Sequence, residues 1–193
     1  MKKFILTITL FILIAVSISG SKTCLAQNEN NSVNISYEFD TGFCDHLNQF
    51  SIEYEYLLKD KRISLFGRYS TADYSIGDTA AYFLGRIGED GDIKGVDFGF
   101  RFYPIGRKRM DRFFFGGAFG LFNNDWKEET SSGYVEGVYS ENVARLDTEV
   151  GYRFTTGSKR VSITPTAHLG YYFRDKSTLG IYTGISISVG VAF

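Results

Sequence analysis

The chain has 193 residues, enough for one or two domains, with 21 Lys and Arg against 22 Asp and Glu. A balance this close to neutral excludes the strongly basic class of nucleic-acid-binding proteins. Two cysteines exclude a disulfide scaffold, whereas 17% aromatic residues, 21 glycines and only 2 prolines favour β structure.

The N-terminus has the pattern of a secretory signal peptide. A short basic start precedes an apolar run over residues 4–18, and Ala26 is a suitable cleavage residue. We therefore expect residues 1–26 to be a signal peptide and residues 27–193 to be the mature domain. Cys24 raises the alternative of a lipoprotein, but the residues before it, which include a lysine, do not fit such a signal.

Eight segments of the mature chain alternate large apolar residues with small or polar ones, which is the period-2 pattern of β-strands. No apolar run in the mature chain approaches 18 residues, so no spanning helix is predicted. We predict strands over residues 32–40, 49–58, 62–71, 94–104, 112–122, 143–154, 160–173 and 179–193.

One face of each predicted strand is large and apolar, and the other face is small or charged. Such strands fit a soluble barrel or sandwich with a buried apolar face, or a membrane barrel that turns this face to lipid. The segments are long enough for tilted spanning strands, and the Gly, Ser and Ala of the polar face suit a crowded interior. We therefore predict an all-β, eight-stranded antiparallel up-and-down transmembrane β-barrel after a cleavable signal peptide.

The connections between the predicted strands sort by length and by charge. The short ones are 59–61, 105–111 and 155–159, and the others are 41–48, 72–93, 123–142 and 174–178. The short set is mainly basic and the other set mainly acidic. Since short turns of membrane barrels are periplasmic, we expect both termini in the periplasm and an acidic outer rim. This rim would repel anionic lipopolysaccharide unless divalent cations bridge the two.

The end of the chain carries the most specific pattern. Alternating apolar residues lead to a terminal aromatic: Ile187, Val189, Val191 and Phe193. Together with the stretch at residues 95–104, this ending resembles the small eight-stranded outer-membrane barrels of Gram-negative bacteria, the OmpA-type and OmpX-type families. The resemblance covers residues 32–193.

The resemblance implies a location and partners as well as a fold. It places the chain in the bacterial outer membrane, in contact with lipid and lipopolysaccharide. It also implies that Val189, Val191 and Phe193 form the signal read by the barrel-assembly machinery during insertion. The Ala26–Gln27 junction is similar to signal sites common in the Bacteroidota.

The polar face groups six acidic residues with four arginines. In a narrow lumen they should pair, because unpaired buried charge is costly and arginine offers bidentate contacts to carboxylates. We predict a lumen ion-pair network that blocks free diffusion, formed by Glu38, Glu53, Glu55, Arg68, Asp97, Arg101, Arg145, Asp147, Glu149 and Arg153. The alternative is a narrow gated path for small ions or solutes, in which some pairs exchange partners.

Catalytic and metal-binding patterns are weak. Outer-membrane lipid hydrolases place His and Ser at the lipid-facing surface, whereas the alternation turns His168 toward the lumen. The acidic run at residues 88–92 lacks the spacing of an EF-hand loop and is interpreted as a flexible loop tip. Trp126 is interpreted as an exposed loop contact or an interface anchor. We predict no catalytic residue, no cofactor and no metal site.

The sequence thus favours a non-enzymatic protein that acts in envelope integrity, surface interaction or adhesion through acidic extracellular loops. Two alternatives stay open: a narrow pore for small solutes or ions, and a lipid-modifying enzyme. The expected partners are outer-membrane lipid, lipopolysaccharide, the assembly machinery and divalent cations at the acidic loops, with no nucleic acid.

Overall fold

The predicted segments fold as eight strands in a computed structural model, which describes residues 30–40, 46–58, 62–76, 88–104, 112–129, 135–155, 161–173 and 180–193. Among these residues, no helix is long and apolar enough to cross a membrane. The predicted signal peptide at residues 1–26 lies outside the described residues. The strands are β1 (Asn31–Asp40), β2 (His46–Leu57), β3 (Ile63–Ile76), β4 (Gly88–Phe102), β5 (Arg112–Glu129), β6 (Val135–Thr155), β7 (Val161–Phe173) and β8 (Ile181–Ala192).

The sheet closes on itself. Each strand pairs antiparallel with its neighbours in the chain, and β1 pairs with β8. Asn31 and Phe193 exchange backbone hydrogen bonds of 2.9 and 3.3 Å at the end of this seam. Closure satisfies the backbone groups that an edge strand would expose, which is the condition for crossing a membrane with strands. The predicted eight-stranded antiparallel barrel is confirmed.

The outside of the barrel is a broad apolar surface. Phe98 has 70% of its surface exposed, whereas Asp97 beside it is buried. The same alternation runs through β7, where every second residue is exposed. Soluble proteins rarely expose contiguous apolar surface of this extent, so this face is the lipid-facing one.

Four strands run farther than the apolar alternation predicted. β3 and β5 end later than residues 71 and 122, and β4 and β6 begin earlier than residues 94 and 143. We call the added residues the upper extension, comprising 72–76, 88–93, 123–129 and 135–142, at the barrel end away from the termini. The predicted loops at 72–93 and 123–142 are therefore wrong in part, and the run at 88–92 is strand instead of loop tip. The strands stay paired through their backbones there. The hydrophobic pattern stops because polar side chains replace the apolar ones on the outer face.

The expectation that the inner face carries only small or charged side chains is wrong at both ends of the lumen. An upper apolar cluster and a lower apolar cluster are buried inside the barrel. The upper cluster is Leu47, Ala72, Tyr74, Ile93, Phe122, Trp126, Val143, Tyr172 and Tyr182. The lower cluster is Leu57, Tyr103 and Phe114.

Small residues on one strand make room for large rings from the next. A Cβ atom at Gly170 would collide with the ring of Tyr182. Trp126, in the upper cluster, is only 2% exposed and stacks on Tyr139 with ring centroids 5.3 Å apart. It is therefore neither an exposed loop contact nor an interface anchor. Its inward position follows from the extension of β5, which the sequence pattern did not show.

Candidate functional site

All ten residues predicted to form the lumen network are buried inside the barrel, each with at most 5% of its surface exposed. They lie on β1, β2, β3, β4 and β6. The strand register aligns several of them in one row, since Glu53 pairs with Arg68 and Arg68 pairs with Asp97. We call these ten side chains the charged layer. It holds the largest group of buried charges among the described residues, and is therefore the candidate functional site.

Arg101 organises the lower half of the charged layer. Its guanidinium makes two hydrogen bonds of 2.6 and 2.8 Å to the carboxylate of Glu53. It also donates to Glu55 at 3.1 Å and pairs with Glu149. Arg153 adds a second ion pair to Glu55, at 2.5 Å. Arg101 thus pairs with carboxylates from two strands, and its contact with Glu53 has the bidentate geometry that gives strong ion pairs.

Two polar residues that the sequence reasoning missed complete the partners of Glu55. Tyr103 donates its hydroxyl to Glu55 Oε1 at 2.7 Å, and Ser64 donates to the same oxygen. Both residues were visible in the alternating pattern. Ser64 lies on the polar face of the predicted strand over residues 62–71, and Tyr103 on that of the predicted strand over residues 94–104.

Arg145 and Arg68 organise the upper half. Arg145 binds Asp97 through two nitrogens, at 2.6 and 3.2 Å. Arg68 donates to Asp97 at 3.1 Å and to Asp147 at 3.2 Å, and its Nη1 lies 3.6 Å from Glu149. Because Glu149 also pairs with the arginine below, it joins the two halves into one network.

Aromatic rings cover the charged layer on both sides. The guanidinium carbon of Arg145 lies 4.4 Å from the ring centroid of Phe122, in the upper cluster. The guanidinium carbon of Arg101 lies 4.5 Å from the ring centroid of Phe66 and 4.9 Å from that of Phe114. These cation–π contacts couple the charged layer to apolar side chains above and below it.

Glu38 is the one member of the charged layer without an ion pair among the described residues. Gln49 donates a hydrogen bond of 3.1 Å to its Oε2, while its Oε1 has no hydrogen-bond partner in the described part of the barrel. His168, which the sequence placed in the lumen, is buried nearby on β7. Its Nδ1 lies 3.3 Å from Asp147 Oδ2 and its Nε2 lies 2.9 Å from Ser186 Oγ.

The network crosses the whole lumen. In the closed order of eight strands, β2 and β6 are opposite each other. Arg153 of β6 reaches Glu55 of β2, and Arg145 of β6 donates to Gln49 of β2 at 3.0 Å. Side chains of opposite walls are therefore in direct contact across the lumen at the level of the charged layer.

A second group of acids lies on the outward face of the upper extension. Asp73, Asp92 and Asp125 are direct cross-strand neighbours on β3, β4 and β5. A hydrogen bond to Asp73, together with partial burial and repulsion from Asp73 and Asp125, raises the pKa of the Asp92 carboxyl. Lys94 lies 3.7 Å from Asp125 at the solvent-exposed side. These three acidic residues, which we call the acidic row, give the upper extension a negative outer surface.

Comparison with known proteins supports the fold alone. The structure is similar to the N-terminal β-barrel domain of Pseudomonas aeruginosa OprF, with a TM-score of 0.52 and 18% identity, over 86% of this chain and 98% of that one. It is also similar to a major outer membrane protein from Thermus thermophilus, with a TM-score of 0.50 and 11% identity, over 84% of this chain and 99% of that one. No protein-family model and no curated protein sequence matches the chain.

These similarities agree with the closed topology and the apolar outer surface. The bacterial group suggested by the Ala26–Gln27 junction and the assembly signal at the C-terminus stay predictions. The chain has the architecture of the small eight-stranded β-barrels of bacterial outer membranes.

Proposed function

We propose that this protein is an integral outer-membrane barrel with a closed lumen, which acts in envelope integrity or surface interaction and not in transport. The observation that supports this proposal best is the filling of the lumen. The upper apolar cluster, the charged layer and the lower apolar cluster follow one another along its axis.

The upper extension is the proposed interaction surface. β5 and β6 have 18 and 21 residues, against 10 in β1, whereas about 9–11 residues suffice to span a bilayer. The extra length lies at the end away from the termini and carries the acidic row. With both termini in the periplasm, this surface faces the outside of the cell. There it meets lipopolysaccharide through bridging divalent cations, or the surface of another cell.

A non-enzymatic role is part of this proposal. Hydrogen bonds link the side chains of Ser186, His168 and Asp147 in the Ser–His–Asp order of serine hydrolases. All three are buried in the lumen, and Asp147 is also bound by Arg68, so a lipid substrate at the outer surface has no contact with them. We interpret the arrangement as part of the lumen packing.

Two experiments test the proposal. In proteoliposomes, the purified barrel should give no faster swelling in isotonic sugars than protein-free liposomes, and rapid swelling would support the pore alternative. In cells, deletion of the gene should increase sensitivity to detergents or reduce surface adhesion. Complementation with a variant in which Asp73, Asp92 and Asp125 are replaced by Asn should restore less of the phenotype than the wild type does. Equal complementation would contradict the role of the acidic row.

A further inference from the structure

The buried charges of the lumen do not balance. Among the described residues, six buried carboxylates face four buried guanidinium groups, and His168 is the one buried imidazole. With a neutral imidazole, the layer carries two negative charges in excess. A net charge held inside a protein is unfavourable unless a counterion or bound protons neutralise it.

The excess negative charge can be located from the carboxylate oxygens that lack hydrogen-bond partners. Glu38 Oε1 and Asp147 Oδ1 are both buried without a hydrogen-bond partner in the described part of the chain. The carboxylate of Glu38 lies against Gly184, since a Cβ atom there would collide with Oε1. Gly184 pairs directly with His168 in the β7–β8 register, and His168 contacts Asp147. Both free oxygens therefore belong to neighbours of His168: Asp147 contacts it directly, and Glu38 lies against its cross-strand partner Gly184.

The same corner of the lumen contains a set of metal-ligating groups. Asp147, Glu149 and His168 each offer a ligand atom, and these atoms lie within 4.8 Å of one another. One imidazole with carboxylates is a ligand set that suits Zn²⁺ and related divalent transition metals more than Mg²⁺. Arg68 holds Asp147 through Oδ2, so Oδ1 remains available as a ligand.

The surroundings of His168 also fit a metal ligand. Its Nε2 lies 2.9 Å from Ser186 Oγ, so a proton on Nε2 would be donated to this hydroxyl and Nδ1 would carry the free electron pair. Metal-bound histidines usually donate their second ring N–H to such a partner, which fixes the tautomer and the ring orientation. The Nδ1 contact to Asp147 Oδ2 is long, at 3.3 Å, and would give way to a metal ion bound by Nδ1 and by Oδ1 of the same carboxylate.

We propose that the lumen binds one divalent transition-metal ion, best matched by Zn²⁺, at the corner formed by Glu38, Asp147, Glu149 and His168. Two positive charges cancel the two excess negative charges of the layer. The ion would link β1, β6 and β7 around β8, next to the seam that closes the barrel. Its role is structural, and it goes beyond the closed lumen proposed above, which does not require a metal.

The test is retention of Zn²⁺ by the whole barrel. The protein is refolded in detergent with Zn²⁺ or with Mg²⁺, treated with a chelator that removes surface ions, and analysed for metal by mass spectrometry. We expect one Zn²⁺ per wild-type barrel and no retained Mg²⁺. Glu38→Gln and His168→Gln should each lower retained Zn²⁺ at least fivefold, because each removes a ligand while nearly preserving side-chain volume.

Two further variants distinguish this site from metal binding elsewhere on the barrel. Gly184→Ala keeps every ligand but displaces the carboxylate of Glu38, and should also lower Zn²⁺ retention. The double variant Asp92→Asn with Asp125→Asn removes two acids of the acidic row and should retain as much Zn²⁺ as the wild type. Heat-modifiable gel mobility identifies the folded fraction of each variant, and metal content is expressed per folded barrel.

Two results would overturn the proposal. Absence of retained Zn²⁺ in the folded wild type would show that bound protons neutralise the excess charge. Full retention in the Glu38 and His168 variants, with loss in the double Asp variant, would place the ion on the outer surface.

Discussion

The charged layer and the upper extension use the same residue types with opposite consequences. In the charged layer, Arg101 binds the carboxylates of Glu53, Glu55 and Glu149 away from water. At the base of the upper extension, the ion pair of Lys94 and Asp125 is 3.7 Å long, with side chains 56% and 43% exposed. Since Coulomb interactions are stronger where water is excluded, a charge removed from the lumen should matter far more than one removed from the surface.

The two regions also differ in how completely their inward polar groups are paired. Most polar atoms of the charged layer have partners at hydrogen-bond distance. In the upper extension, the side-chain atoms of Asn124 and the Nε1 of Trp126 are buried without partners among the described residues. Specific pairing therefore holds the middle of the lumen, whereas apolar packing around Trp126 and its neighbours holds the upper end.

The largest effect is expected for Arg101→Ala. The substitution leaves three buried carboxylates without their shared counterion, and breaking a buried ion pair typically costs about 3–5 kcal/mol. Unfolding in detergent micelles with increasing urea, followed by gel mobility and circular dichroism, measures the change in free energy.

Lys94→Ala is the matched control for that experiment. It removes the exposed partner of Asp125, and such surface pairs contribute about 0–1 kcal/mol. Equal destabilisation by the two variants would contradict the contrast between the lumen and the surface.

A smaller effect is expected for Gly120→Ala. A Cβ atom at this inward position would collide with the carboxylate of Asp97, which is held by Arg145 and Arg68. Overpacking of this kind costs about 1–3 kcal/mol. Gly67→Ala is the control, because its Cβ would lie outside the barrel at 3.5 Å from the nearest atom, a carbon of Phe98. The same urea titration should show a larger loss of stability for Gly120→Ala than for Gly67→Ala. An unchanged stability of Gly120→Ala would show that the charged layer can rearrange.

The smallest effect is expected for Asp92→Asn in the acidic row. Like charges directly opposite across strands are destabilising by about 0.2–1 kcal/mol, so neutralising Asp92 should slightly stabilise the barrel at pH 7. Because the pKa of Asp92 is raised in the folded state, the folded protein binds this proton more readily than the unfolded chain. The wild type should therefore gain stability from this site as pH falls below neutrality.

The pH dependence and the salt dependence of stability check that interpretation. The Asp92→Asn variant should lack the contribution of Asp92 to the pH dependence and to the salt dependence of stability. The salt dependence is expected because added salt screens repulsion at an exposed position. A variant that is less stable than the wild type at pH 7 would contradict repulsion within the acidic row.

Most of the barrel could be predicted from the sequence, but little of its upper end could. Period-2 alternation found all eight strands and the inward position of the charged residues, because successive side chains of a strand point to opposite faces of the sheet. It missed the upper extension, where Asp, Asn and Lys replace apolar residues on the outer face while backbone pairing continues. It also missed the large inward rings, such as Phe66 and Phe122, because the polar face was judged by its small and charged members.

The corner around His168 was beyond the reach of sequence reasoning for a different reason. Its four groups come from three strands, and only the folded structure shows that the carboxylate of Glu38 reaches Gly184, the cross-strand partner of His168. Spacing along the chain therefore contains no metal-binding pattern. The linear motif His168-Leu169-Gly170 likewise gave no indication of Ser186, which lies on the neighbouring strand.

The central claim is that the paired charges and their apolar covers close the lumen. Single-channel recording of the folded barrel in a planar bilayer tests it most directly. We expect no conductance steps for the wild type, and measurable steps for Arg101→Ala combined with Arg145→Ala, which removes the ion pairs of Arg101 with Glu53 and Glu149 and the contact of Arg145 with the opposite strand β2. Steady conductance of the wild type, unchanged by the double substitution, would contradict the account.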